Sequence, residues 1–156
     1  MTTIILSILG ILLAAAAALM VVFYGGTAFE DSSTEATANS LQNAGANVLA
    51  ASDMYQFENG RLPSTLDDLT NNGRYLAAEP DIVGFQANHN FEIHSSTHRN
   101  YAVFPVPPEV CLKVNQNVGV NDNDDEVADI PNGRSPNKVG CWGSPGWYTF
   151  QVRLGT

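Results

Sequence analysis

The first 29 residues constrain the fold most strongly, because residues 1–29 contain no Lys, Arg, Asp or Glu. From Ile4 to Tyr24 the run is almost wholly apolar. About 20 apolar residues are enough to cross a bilayer as a helix, and a helix satisfies its own backbone hydrogen bonds in lipid. The sequence therefore predicts a hydrophobic N-terminal helix over residues 1–29 that serves as a membrane anchor, followed by a head domain over residues 30–156.

Two alternatives for this segment depend on basic residues. A cleaved signal peptide would have a basic start and a shorter apolar core, whereas the first basic residue here is Arg61. An ordinary membrane anchor has Lys or Arg on its cytoplasmic side, and residues 1–29 have neither. One explanation is that a basic leader preceded Met1 and was removed.

The charge and the cysteine count exclude some functions of the remaining chain. Seven Lys and Arg against 16 Asp and Glu give a formal net charge of −9. Nucleic acids and anionic lipid surfaces are bound through basic patches, so neither is an expected partner. There are two cysteines, Cys111 and Cys141. An even count outside the cytoplasm favours a disulfide. A bond between these two cysteines would close a loop of about 30 residues and stabilise the folded state by about 3–4 kcal/mol.

A second helical pattern follows the apolar segment. Residues 36–57 have a recurring face at spacings of three and four, widened by Leu49 and Met54. The members of that face are Leu41, Ala44, Val48, Ser52 and Tyr55. Residues 30–40 before it fit either a helix start or an extended linker, and Gly25 and Gly26 could kink the helix.

Turn signals and short elements follow. Gly60 suits a left-handed C-cap, and Ser64 is placed to cap a short second helix over 64–69. Residues 108–118 favour a short helix that carries Cys111, with a strand as the alternative. Strand patterns occupy 90–94, 101–106 and 147–154. The segment 101–106 ends in prolines, which suits it to an edge strand or a strand end. We expect an α+β fold with an antiparallel sheet on the 36–57 helix.

The segment after the second helical pattern resembles a known family. The residues that carry the likeness are Tyr55, Asn59-Gly60-Arg61-Leu62-Pro63-Ser64-Thr65-Leu66, Leu69, Tyr75-Leu76 and Pro80. This pattern is similar to the segment that ends the long N-terminal helix of type IV pilins and pseudopilins. The apolar run that ends in Tyr24 strengthens the resemblance, which is clearest over residues 1–80.

The resemblance implies a fold and a function. A long N-terminal α-helix, half membrane anchor and filament core and half domain spine, would pack on a small antiparallel β-sheet. A helix would carry the first cysteine of a C-terminal disulfide loop, as in the type IVb branch. Prepilin peptidase would remove a leader, and Met1 would then be N-methylated.

The implied function is that of a structural subunit. It would lie in the inner membrane, and the pilus assembly machinery would then polymerise it with identical subunits into an extracellular filament on the bacterial surface. Small residues over 14–18 would allow close helix approach. The implied filament-core residues are Ile4, Ile5, Leu6, Ile8, Leu9, Ile11, Leu12, Leu13, Leu19 and Val22.

One departure from the family pattern keeps other functions open. The family commonly has Glu at position 5, thought to pair with a neighbour's N-terminal amine, and this chain has Ile5. The first alternative is therefore a minor pilin, or a pseudopilin of a type II secretion pseudopilus. A second is a monomeric, membrane-anchored binding domain whose acidic loop captures a ligand.

The acidic loop between the cysteines is a candidate calcium site. Asp122, Asp124, Asp125 and Asp129 supply hard oxygen ligands, and some pseudopilins bind calcium in a C-terminal loop. EF-hand spacing is not matched, and a solvated acidic turn is the favoured interpretation.

Catalysis has little support in the sequence. His89, His94 and His98 are best interpreted as exposed loop histidines, since no Cys or carboxylate completes a zinc set. No nucleophile-elbow, phosphate-loop or dinucleotide motif occurs. We expect a protein that is not an enzyme and has no cofactor apart from the possible calcium.

Overall fold

A computed structural model describes residues 2–85, 90–95, 100–120, 130 and 137–155. The chain divides into two compact units, Met1–Ser33 and Thr34–Thr156. The helices are α1 (Thr2–Asn59), α2 (Asp67–Thr70) and α3 (Pro108–Val118), with a short 3-10 turn at Asn71–Gly73. The strands are β1 (Glu92–Ser95), β2 (Asn100–Pro105), β3 (Val139–Ser144) and β4 (Trp147–Arg153). This architecture confirms the predicted α+β class.

Helix α1 is continuous over 58 residues. The alternative of an extended linker over 30–40 is therefore wrong, and Gly25 and Gly26 do not interrupt the helix. Each glycine costs a helix only about 1 kcal/mol relative to alanine and introduces no steric clash.

The four strands form one antiparallel sheet in the order β1-β2-β4-β3. Strand β4 lies in the interior, with Phe150 opposite Phe104 of β2 and Cys141 of β3. The three predicted strands are confirmed within a residue or two, although β2 is interior and meets the proline expectation only through Pro105 at its end. Strand β3 was not predicted, because its two glycines weaken every strand signal.

The predicted face of α1 forms part of the core of the second unit. All five residues of that face are buried, together with Ala38 and Ala51. Leu49 packs against this core, but Met54 is 57% exposed, so its assignment to the face was wrong. A helix turns by about 100° per residue, which places Met54 about 200° from Ser52.

Helix α1 ends at the predicted turn, but the next helix begins differently than predicted. Gly60 is left-handed at φ 69° and donates its N–H to the Gln56 carbonyl. Helix α2 starts at Asp67, and Ser64 is not its N-cap. Instead the Asp68 carboxylate accepts the N–H groups of Ser64 and Thr65, at 2.8 and 3.2 Å.

Side chains at the end of α1 and in the following loop fasten that loop to the helix end. The Tyr75 hydroxyl donates to Glu58 at 2.5 Å and accepts from the Asn59 amide at 3.1 Å. Arg74 pairs with the same Glu58 carboxylate at 3.0 Å, and the Tyr55 and Tyr75 rings meet edge to face. The hydrogen bond to Glu58 is the main cause that raises the pKa of Tyr75. These contacts give the sequence pattern a structural role.

The closest approach of α1 to the sheet occurs at Gly45. A Cβ atom on this residue would lie 2.7 Å from Val152 Cγ2 and 2.9 Å from the Phe150 ring. Both side chains belong to β4 and are fully buried. Because real Cβ atoms essentially never approach so closely, a side chain at position 45 would force α1 or the β4 side chains to shift.

Replacing Gly45 with Ala should therefore destabilise the protein although alanine favours helices. Overpacking costs about 1–3 kcal/mol, and the propensity gain recovers only about 1 kcal/mol. We expect a lower midpoint in urea unfolding followed by tryptophan fluorescence. The exposed Ala50→Gly change is the matched control and should cost about 1 kcal/mol through helix propensity alone. A Gly45→Ala variant more stable than the wild type would contradict the close packing.

Candidate functional site

The principal candidate site is the apolar surface of α1 in the first unit. The described side chains over positions 5–21 are all exposed. Three successive residues, Ile11, Leu12 and Leu13, are 70%, 62% and 69% exposed. At about 100° per residue these three point in different directions around the axis. The apolar surface therefore surrounds the helix, instead of forming one stripe that the helix could cover by itself.

The predicted filament-core residues belong to this surface. The side chains of Ile4 and Val22 lie outside those that the structure describes, as does Met1, the predicted methylation site. The remaining predicted residues are half or more exposed: Ile5, Leu6, Ile8, Leu9, Ile11, Leu12, Leu13 and Leu19. A continuous apolar surface of this extent marks a site of contact with a protein or a membrane.

Membrane crossing is a separate question from apolar exposure. In the portion of the chain that the structure describes, no helix has both the length and the apolar character needed to span a membrane.

The predicted disulfide is confirmed. Cys111 on α3 and Cys141 on β3 are bonded, with their Cα atoms 5.3 Å apart and both side chains fully buried. The bond joins the helix to the edge strand of the sheet. It closes a loop whose ends are separated by 30 residues.

A buried asparagine reinforces the disulfide connection. Asn115, one turn after Cys111, donates its amide to the Cys141 carbonyl at 3.1 Å. Its side-chain carbonyl accepts the Cys141 N–H at 2.8 Å. Asn115 is fully buried. Its two hydrogen bonds supply partners for the N–H and C=O of Cys141, which point away from β4 at the edge of the sheet. The helix ends at Gly119, which is left-handed at φ 65°.

The predicted calcium ligands cannot be placed. Asp122, Asp124, Asp125 and Asp129 all lie outside the described residues. Within the described ranges, no group of three or more His, Cys, Asp or Glu side chains could hold a metal ion. The calcium site remains a prediction from the sequence.

Of the three histidines, only His94 belongs to the described part. It lies in β1 and not in a loop, and its Nε2 is 3.3 Å from the Glu92 carboxylate. Both side chains are exposed. His89 and His98 lie outside the described residues.

One carboxylate in the loop after α2 is in an unfavourable environment. Burial, followed by repulsion from Asp67, raises the pKa of Glu79. Its Oε1 is buried and has no hydrogen-bond partner among the described residues. Glu79 is therefore more favourable to the folded state when it is protonated.

Two tryptophans that the sequence analysis left without a role meet on the sheet. Trp142 in β3 and Trp147 in β4 have ring centroids 5.0 Å apart and pack edge to face. A two-residue turn, Pro145–Gly146, joins their strands. This Pro-Gly pair between two tryptophans was the available hairpin signal, since it indicates strands that run side by side.

Comparisons with protein-family models, with curated proteins and with solved structures find no match to this chain.

Removing the Asn115 side chain should weaken the connection between α3 and β3. An Asn115→Ala change leaves two buried backbone groups of Cys141 without partners, and each costs about 1–3 kcal/mol. We expect a lower urea midpoint with the disulfide intact by non-reducing mass analysis. Asn117→Ala, at an exposed position of the same helix, is the matched control and should change the midpoint little. Equal effects of the two changes would contradict the role of Asn115.

Neutralising Glu79 should stabilise the protein at neutral pH. Because the folded-state pKa is raised, its stabilising contribution is present at low pH and is lost as the pH rises through that pKa. A Glu79→Gln variant should melt at a higher temperature than the wild type at pH 7, and the difference should shrink on acidification. Asp81→Asn, at an exposed carboxylate, serves as the control. A difference independent of pH would show that another effect of the substitution dominates.

Proposed function

We propose that the protein is a structural subunit of the type IV pilin class, which polymerises through α1 into an extracellular filament. The observation that carries this proposal is the exposed apolar surface over positions 5–21. Such a surface needs an apolar environment from outside the chain. Lipid before assembly and the helices of identical subunits after assembly would supply it in turn.

The composition of the helix supports association between copies. Residues 14–18 are a run of alanines, all exposed. Small side chains allow helix backbones to approach closely, which strengthens van der Waals packing between helices. Residues 1–29 also lack charged side chains, so a bundle of these helices would bury no side-chain charge. Packing of apolar surface is then the main force that the segment offers for assembly.

Ile5 in place of the usual Glu is compatible with this mode of assembly. A buried charge pair must overcome the cost of removing both charges from water, so it contributes weakly to association. Its loss affects register more than affinity, because a charge pair specifies position along the helix axis. We infer that register in this filament depends on the shapes of the apolar side chains and on contacts of the head domain.

The three features of the second unit agree with the proposal. A helical spine packs on a small antiparallel sheet, residues at its end fasten the next loop, and a disulfide closes the C-terminal region. The helical spine on a small antiparallel sheet and the C-terminal disulfide loop were expected from the pilin resemblance, whereas the contacts that fasten the loop were not. Inner-membrane insertion, leader removal by prepilin peptidase and methylation of Met1 form part of the same proposal.

Electron microscopy of material sheared from the cell surface, with the intact mass of its subunit, tests the proposal directly. We expect long thin fibres whose subunit begins at Met1 and carries one additional methyl group. Fibres without the methyl group would keep the filament and contradict the processing. Absence of fibres, with the protein retained in the inner membrane, would instead favour a pseudopilin or an anchored binding domain.

Enlarging one alanine separates assembly from membrane insertion. Ala16→Leu keeps the helix apolar but obstructs close approach between helices, so we expect normal membrane recovery and fewer fibres. Leu12→Ile, which conserves volume at another exposed position of the helix, is the matched control and should leave fibre yield unchanged. Wild-type fibre yield from Ala16→Leu would contradict close packing through the alanine run.

A further inference from the structure

The sheet has a second face, which is turned away from α1. Phe150 and Val152 of β4 point toward α1 at Gly45. Side chains alternate along a strand, so Trp147, Thr149 and Gln151 lie on the opposite face. We call this the outer face. The registers of β1, β2 and β3 with β4 place their own alternate residues on it as well.

The outer face contains a pocket with a volume of about 290 Å³. Protein pockets for small molecules have volumes of about 300–1,000 Å³, so this one suits a single ring-sized ligand. Val103 and Pro105 of β2 contribute apolar surface to it. Its remaining walls are the two tryptophans, the buried polar residues Thr149 and Gln151, and the neighbouring side chains of Glu92 and His94.

The tryptophans supply a flat apolar wall. Trp142 is partly buried and packs edge to face against Trp147. Trp147 keeps 56% of its surface exposed, which is unusual for a residue of this size. An exposed indole fixed by a second indole is a rigid platform on which an apolar ring face can stack.

Two polar side chains of the pocket are almost fully buried, although residues on a sheet face turned away from the core are usually exposed. Thr149 is 5% exposed and Gln151 is 1% exposed. The Trp142 Nε1 atom is buried and has no hydrogen-bond acceptor among the described residues. An indole nitrogen can only donate, and because this atom is buried, neither solvent nor a ligand in the pocket reaches it.

Charge restricts the ligand further. The Glu92 carboxylate lies at the pocket, paired with His94 at 3.3 Å, and the whole chain has a formal charge of −9. An acidic ligand would be repelled by both. The carboxylate can accept hydrogen bonds from hydroxyl groups.

We propose that the outer-face pocket binds the pyranose ring of a neutral sugar. The carbon face of such a ring is apolar and would stack on Trp147, while its hydroxyl groups both donate and accept. They would donate to the Glu92 carboxylate. A quaternary ammonium ligand also suits tryptophan and a carboxylate, but it has no N–H or O–H group to donate to Glu92. This inference does not depend on polymerisation, because the pocket is built within the second unit.

The two tryptophans give a direct measurement, since they are the only ones in the chain. Intrinsic tryptophan fluorescence of the full-length protein should change saturably on titration with methyl glucoside or methyl galactoside. Glucuronic acid and N-acetylneuraminic acid should give no saturable change. Choline is the probe for the cation alternative.

Outcomes of this titration are distinct. Saturation by a neutral glycoside and not by choline or the acidic sugars supports the proposal. Saturation by choline alone, by the acidic sugars alone, or by none of the probes overturns it. If neutral sugars bind, comparing free methyl glycosides with the same residues at the ends of immobilised oligosaccharides distinguishes a soluble sugar from a surface glycan.

Substitutions locate the binding to the pocket, with affinity measured by calorimetry. Trp147→Ala should lower affinity about tenfold through loss of stacking. Glu92→Ala removes the hydrogen-bond acceptor and should lower affinity about two- to tenfold. Phe57→Ala removes an aromatic that is 91% exposed on α1, and is the matched control. Unchanged affinity in both the Trp147 and the Glu92 variants, with folding verified by circular dichroism, would overturn the assignment.

Discussion

The second unit depends on the direct contact between helix α1 and strand β4. Gly45 removes the one side chain that would hold the two elements apart, and Phe150 and Val152 occupy the space. The interior position of β4 then orders the rest, because β2 and β3 pair with its two edges. Cys141 and Asn115 connect β3 to helix α3, so the disulfide extends this arrangement to the C-terminal half. A shift at the helix–strand contact would therefore disturb β2, β3 and α3 as well.

The parts of this fold that could be predicted from sequence are those with strong local patterns. The buried face of α1, the strand β4 and the helix α3 each follow a single period over several turns or alternations. Strand β3 could not be predicted in the same way, since Gly140 and Gly143 lack side chains that would show alternation. It exists because β4 and the disulfide hold it in place. The pairing itself followed from the cysteine count, whereas the contribution of Asn115 depends on tertiary position and has no local signature.

The two candidate sites also differ in how far the sequence predicts them. The apolar surface of α1 is visible in the sequence, because a long uncharged run needs no partner residue to be recognised. The outer-face pocket is not, since its walls come from all four strands and require the sheet register to bring them together. Only the Pro145–Gly146 hairpin signal indicated that Trp142 and Trp147 would be neighbours. A site made of one continuous segment can therefore be predicted from the sequence alone. A site whose residues come from several strands cannot, because the strand pairing must be known first.

Strand β4 serves the core and the pocket with alternate residues. Tyr148, Phe150 and Val152 are buried against the core, while Thr149 and Gln151 line the pocket on the opposite side. Because the same backbone hydrogen bonds fix both sets, the pocket is already formed before any ligand arrives. A preformed pocket loses little conformational freedom on binding, so a small ring can bind with few contacts. The rigid packing that glycine allows at position 45 thus also determines how well the outer face is organised for recognition.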